Sequence, residues 1–275
     1  MKYKLIAIDM DGTLLNSENQ VSKRNREALY KAMEKGICVV LTTGRILPSA
    51  FYYGKSMNLD NPIIACNGAI ISNGGVENII YENKMNLESS KEIVKLADKY
   101  KIHYHFYDKN TFYTSEVSEG IEQYYPSFPD ALREQGIEVE ILENVLETLE
   151  EEKTNIYKFV FIEDDLDKLS KFRGEINNLD GIQVSSSWYN NLEIMNEGVS
   201  KGSSLEYLGN KLNIGKSQIM AIGDNENDIS MLKIAGLAVA MENGDDAIKK
   251  YSHTVTHTND EDGVAKAIEK YILNS

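Results

Sequence analysis

The stretch KLIAIDMDGT, residues 4–13, decides how the rest of the chain is read. Leu5, Ile6, Ala7 and Ile8 are apolar without alternation, so a strand here has no solvent face. Strands of that kind belong to parallel sheets covered on both sides. Asp9 and Asp11 follow at once, and Gly12 turns the chain. In a parallel sheet the chemistry gathers at the carboxyl ends of the strands. The stretch therefore sets two carboxylates at such an end, in a chain whose formal net charge is already −14. Acids are crowded together where a divalent cation or a phosphoryl group uses them. Capping of the next turn is the competing reading, since Asp-Gly is a strong turn signal.

The neighbouring segments extend the same grammar. SKRNREALYKAMEKGI predicts a helix with Ser22 as N-cap, an apolar face at Ala28, Leu29, Ala32 and Met33, and Gly36 at its end. CVVLTTGR predicts a second buried strand running into a polar turn, and PIIACNGAII a third. Strand, helix, strand with buried strands is the βαβ pattern. After about Tyr81 the pattern changes. LESSKEIVKLADKY is an amphipathic helix, IHYHFYD and TFYTSE suggest antiparallel pairing, and a polar, acidic middle follows. NIYKFVFIED predicts a strand, DLDKLSKFRGEINNL a helix, and GIQVSSSW with NLEIMN a hairpin-like pair. The first grammar resumes near Gly198. KGSSLEYLGNKLNI is a helix, SQIMAIGDNENDISMLKIAG is strand, loop and helix, LAVAM is a buried strand, and DGVAKAIEKYIL is a closing helix. The expected fold is α/β, a doubly wound parallel sheet of Rossmann-like type, built from both ends of the chain with an α+β segment inserted between them.

Four polar clusters fall at or near strand ends: DMDGT, LTTGR, GVSKG and GDNEND. Asp224 precedes a helix and reads as an oxygen ligand, whereas Asp228 also suits the first turn of that helix. Asp9, Asp11 and Asp224 together make a hard-cation site suited to magnesium. Thr43, Gly44 and Arg45 offer a hydroxyl and a close backbone N–H to an anion, although for the tripeptide alone an ordinary turn is the favoured reading. Lys201, at a helix start, supplies a cation that offsets the carboxylates and holds a phosphate.

In this order and spacing the clusters resemble the four motifs of the haloacid dehalogenase-like phosphatase superfamily, and most closely its Cof-type branch. Residues 1–83 and 195–275, including NGA at 67–69, resemble the catalytic core, and 84–194 match an inserted cap by position and class. Asn196 stands where the branch often has proline. The resemblance implies a magnesium-dependent phosphatase for small phosphate monoesters, sugar phosphates by default, working through an aspartyl-phosphate. Asp9 would be the nucleophile and Asp11 the general acid and base. Asp9, the Asp11 backbone carbonyl and Asp224 would hold the metal, with Asp228 orienting these ligands. The amides of Met10 and Gly44, with Thr43, Lys201 and Asn227, would hold phosphate oxygens. The cap would set specificity and close over the site about hinges near 82–85 and 194–198. An acid at Asp11 favours an oxygen leaving group over a halide. A phosphosugar mutase and a phosphate-binding regulator on the same fold are the alternatives. A phosphorylation receiver is not, because Asn67 stands where its phosphate-accepting acid would be.

Bulk properties narrow the partners. The chain has 275 residues and an isoelectric point of about 4.8. That argues against nucleic acid or an anionic membrane surface and does not forbid an anionic small substrate; a small phosphorylated metabolite as partner is what the resemblance implies. No apolar run approaches the ~18 residues of a membrane span. No signal peptide is visible, and Cys38 and Cys66 read as reduced thiols, which points to the cytoplasm. The expected state is a monomer or weak homo-oligomer. His103, His105, Tyr107 and Tyr113 read first as strand residues of the insert, with contact to the substrate as the alternative.

Overall fold

The computed structural model describes residues 2–117, 121, 125, 127–150 and 155–274. Among these residues the strands form two sheets. The first holds β1 (Leu5–Ile8), β2 (Cys38–Thr42), β3 (Pro62–Ala65), β4 (Ile70–Asn73) and β5 (Ile79–Glu82). The second holds β6 (His103–Tyr107), β7 (Thr111–Thr114), β8 (Glu138–Ile141), β9 (Lys158–Ile162), β10 (Ile182–Ser185) and β11 (Asn191–Asn196). The chain then returns to the first sheet with β12 (Ile219–Gly223), β13 (Leu237–Ala240) and β14 (Thr254–Val255).

The first sheet runs β14-β13-β12-β1-β2-β3-β4-β5. The neighbours from β14 to β3 pair in parallel, and β4 and β5 add an antiparallel edge. Alternation along β1 shows why every residue is apolar. Leu5 and Ala7 pack with Leu205, Leu208 and Met231. Ile6 and Ile8 pack with Ala28, Leu29 and Ile268 on the other face. Ser22 caps its helix, accepting from the Asn25 N–H.

One strand reading needs correction. PIIACNGAII is two antiparallel strands, with Ala65 opposite Ile70 around a turn at Cys66–Gly68. Cys66, Asn67 and Gly68 all take positive φ, which an apolar run does not announce. The turn is tied to the end of β2: Cys66 N–H donates to the Arg45 carbonyl at 2.9 Å and Asn67 N–H to that of Thr43 at 3.0 Å. Cys38 and Cys66 are free thiols, as read from the sequence, and burial pushes the Cys66 thiol up to about 12.

The second sheet runs β10-β11-β9-β6-β7-β8, antiparallel except for β7 with β8. β8 lies in the acidic middle, where its exposed, Glu-rich face gave no strand signal. The last strand ends at Asn196, past the expected boundary at 194. Helices Leu87–Tyr100 and Leu166–Ile176 cover one face, with Ile93, Ala97 and Phe172 against Phe106, Phe159 and Phe161. The opposite face, carrying Tyr107, Lys158, Val160 and Glu193, looks onto a cavity shared with the first sheet. No helix among the described residues is long and apolar enough to cross a membrane.

Candidate active site

β1, β2 and β12 lie side by side and parallel, so their carboxyl ends bring Asp9, Thr43 and Asp224 to one edge. Asp9 N–H donates to the Ile222 carbonyl at 3.0 Å, which extends the β1–β12 ladder to the nucleophile candidate itself. Gly12 then turns the chain at φ +73°. A Cβ there would stand 2.3 Å from Asp224 Oδ2, so the turn needs glycine for the space as well as for the backbone.

Asp9, Asp224 and Asp228 are buried, and one carboxylate oxygen of each lies within 4.8 Å of the other two. Lys201, fully buried, reaches Asp9 Oδ1 at 2.5 Å and Asp228 Oδ1 at 2.6 Å. The other Asp228 oxygen accepts the backbone N–H groups of Asp224 and Asn225, at 2.9 and 3.1 Å. Asp228 is thus occupied as a brace for Lys201 and the loop. Thr13 Oγ1 donates to Asp224 Oδ1 at 2.6 Å. Burial and then the Asp228 charge push Asp9 well above the usual carboxylate range, against the pull of Lys201. The same two causes raise Asp224 to about 7. Carboxylates raised in this way are short of positive charge. An all-oxygen donor set that a single lysine does not neutralise fits a hard divalent cation at Asp9 and Asp224.

Asp11 stands outside that acidic group. Its side chain turns to Arg45, whose Nε and Nη2 donate to Oδ2 and Oδ1 at 2.8 and 2.5 Å. Enclosure works against its ionisation, but the Arg45 guanidinium holds it below the ordinary range. Arg45 also lies over the Tyr53 ring, 4.8 Å from its centre. The sequence reading used the backbone of TGR and missed this side chain, because an arginine in a turn carries no mark of its partner.

The cavity between the sheets measures about 550 Å³. Asp9, Asp11, Gly44 and Asn227 border it, whereas Met10, Thr43, Lys201, Asp224 and Asp228 are not on its wall. The second sheet and its connections contribute Tyr107, Phe112, Tyr125, Lys158, Trp188 and Glu193. Of the four aromatic and imidazole candidates, Tyr107 is on the wall. His105 is buried, with Nε2 2.9 Å from the Tyr107 hydroxyl, Tyr113 stacks on Phe106, and His103 meets Glu116. Lys158 and Glu193 were missed in the sequence. A lysine at a strand start reads as solvated, and Glu193 inside NLEIMN was the one available signal, a lone acid in an apolar strand.

The raised Asp224 carboxyl gives a pH prediction. Its proton is held in the folded chain and released in the unfolded one, so its contribution is complete below the unfolded value near 3.8 and is lost as pH rises through about 7. In chelator, thermal unfolding should show wild type losing stability relative to Asp224→Asn between about pH 4 and pH 7. Magnesium should abolish that relative loss. Parallel curves for the two proteins in chelator would contradict the assignment.

Comparison with known proteins gives the family. The model of the haloacid dehalogenase-like hydrolase family matches residues 6–268. The chain is 32% identical over 271 residues to the 5-amino-6-(5-phospho-D-ribitylamino)uracil phosphatase YcsE of Bacillus subtilis, covering 98% of this chain and 96% of that protein. It is 29% identical to the pyridoxal phosphate phosphatase YbhA of Escherichia coli, covering 99% of this chain and all of that protein. The solved structure of a haloacid dehalogenase-like hydrolase from B. subtilis superposes with a TM-score of 0.87 at 29% identity, over 98% of this chain and 99% of that one. With the family model matched from β1 to the last helix, and the motif residues gathered at one sheet edge, the chain belongs to the haloacid dehalogenase-like hydrolases.

Proposed function

We propose that the protein is a magnesium-dependent phosphatase of small phosphate monoesters that works through an aspartyl-phosphate on Asp9. The observation that carries this reading is the position of Asp9, on the cavity wall, with Oδ1 held by the buried Lys201 amine. In the first step an Asp9 oxygen bonds to phosphorus, the ester P–O bond breaks, and the leaving oxygen takes the Asp11 proton. In the second, water bonds to phosphorus, Asp11 takes its proton, and the Asp9–phosphorus bond breaks to release phosphate. The Arg45 pair holds Asp11 in the ionised form that the second step requires, so for the first step Asp11 must part from Arg45 and take up a proton from solvent as the ester enters. Thr43, Asn227, Lys201 and the Met10 and Gly44 amides hold the phosphoryl oxygens. Asp9, the Asp11 carbonyl and Asp224 would hold magnesium, which would supply neutralisation of the charge between nucleophile and phosphate.

Residues 84–194 act as the cap that chooses the leaving group. In support, the second sheet forms the far wall of the cavity with Tyr107, Phe112 and Trp188. An aromatic wall suits a flat ring, and relatives are named for a ribitylaminouracil phosphate and for pyridoxal phosphate. A hydrolysis screen over both of these, sugar phosphates and nucleotides is the test. The expected result is magnesium-dependent phosphate release, with ring-bearing esters ahead of open-chain ones. Release from none of them, or full activity in chelator, would refute the reading.

A further inference from the structure

A second buried ion pair lies apart from the acidic cluster. Lys158 on β9 and Glu193 on β11 are each 2% exposed, and Nζ lies 2.6 Å from Oε1. Desolvating two charges costs about as much as their attraction returns, so such a pair is a poor device for stability alone. Each member also reaches out of its own sheet. Lys158 Nζ donates to the Gly44 carbonyl, and Glu193 Oε2 accepts from Asn67 Nδ2 at 2.8 Å.

One arm ends on Gly44, whose amide is assigned above to phosphate, and the other reaches Asn227 of the same set through Asn67. The Gly44 carbonyl shares its peptide with the Arg45 N–H, which donates to Thr43 Oγ1 at 3.1 Å. Fixing that peptide fixes the Thr43 oxygen as acceptor and leaves its hydroxyl proton for an anion. On the other arm, Asn67 Oδ1 accepts from Asn227 Nδ2 at 3.1 Å. Gly44 makes room for the junction. A Cβ on it would stand 3.1 Å from Asn67 Oδ1 and Glu193 Oε1 and 3.3 Å from Lys158 Nζ.

We propose that Lys158 and Glu193 are positioning residues: seated together from the second sheet, they set the Thr43 hydroxyl and the Asn227 amide for phosphate binding. This rests on the phosphatase reading and goes beyond it, because it makes the anion site of one sheet depend on a charge pair of the other. Without these contacts from the second sheet both loops lose their braces.

The test is calorimetric titration of inorganic phosphate, with magnesium present, into the full chain and three variants. Thermal unfolding and hydrolysis of p-nitrophenyl phosphate are measured alongside. Lys158→Met and Glu193→Gln should each weaken phosphate binding about 10- to 100-fold, the worth of one or two charge-assisted hydrogen bonds. The double variant Lys158→Met/Glu193→Leu removes both charges and should regain a near wild-type unfolding midpoint. Its phosphate affinity should stay as weak as that of the single variants. If the double variant recovers affinity together with stability, the pair serves packing only and the proposal falls. Single variants that bind phosphate like a hydrolytically active wild type would overturn the pair's role alone. A wild type that neither binds phosphate nor hydrolyses the ester would overturn the phosphatase reading and this inference with it.

Discussion

Asp9→Asn should lower phosphate ester turnover by about 10⁴-fold or more, the scale on which loss of a covalent nucleophile is felt, while making the folded chain no less stable. The amide keeps the size of the carboxyl but cannot form the phosphoryl bond. Its effect on stability follows from the surroundings. Asp9 is raised by burial and by Asp228, so its charge is a net burden in the absence of metal. Lys201 keeps Asp228 at 2.6 Å as a partner, so the substitution strands no cation. Activity and stability should therefore move in opposite directions, as expected where a site is built for chemistry at the expense of the fold. Kinetics on an aryl phosphate and thermal unfolding in chelator measure both. An Asp9→Asn protein that hydrolyses normally, or that unfolds far below wild type, would count against this account.

Lys201→Met should have the opposite stability effect. The amine is fully buried between Asp9 and Asp228 and touches both. Methionine fills much of the same volume but leaves three acids facing each other without the lysine. Removing one partner of a buried charged network costs about 3–5 kcal/mol, so a fall in the unfolding midpoint of many degrees is expected, together with loss of turnover. Folding failure alone would explain lost activity, so the companion variant Lys201→Met/Asp228→Asn matters. Removing one acid with the lysine should restore part of the stability while turnover stays low. A double variant that regains both would reduce Lys201 to a structural counter-ion.

The legible parts of this molecule are those where periodicity and chemistry coincide. Leu5–Ile8 announced a doubly covered strand, and Asp9 beside it announced a functional edge, because unbroken apolar runs and crowded acids each have few physical explanations. Ser22 and the helix after it were readable for a similar reason, since cap and apolar stripe agree. Cys66–Gly68 was misread although Asn-Gly between two apolar runs is a hairpin signal; the apolar residues on either side outweighed it, and nothing in the sequence marks the positive φ of Cys66. The acidic middle hid β8 because an edge strand with an exposed face has no apolar pattern to show. Arg45, Lys158 and Glu193 were hidden differently. Their partners lie 34, 114 and 126 residues away in the chain, at Asp11, Gly44 and Asn67. Pairings over such separations come from the packing of two sheets and leave no local trace.

Covalent catalysis by Asp9 is the central claim, and a rapid-quench experiment tests it most directly. The protein is mixed with a phosphate ester and magnesium, quenched in acid within the first turnover, digested and read by mass spectrometry. The account predicts one phosphoryl group on the peptide that contains residues 4–13, located at Asp9 and absent from Asp9→Asn. A phosphoryl group on any other residue, or a burst of product from an enzyme that never carries phosphate, would contradict it.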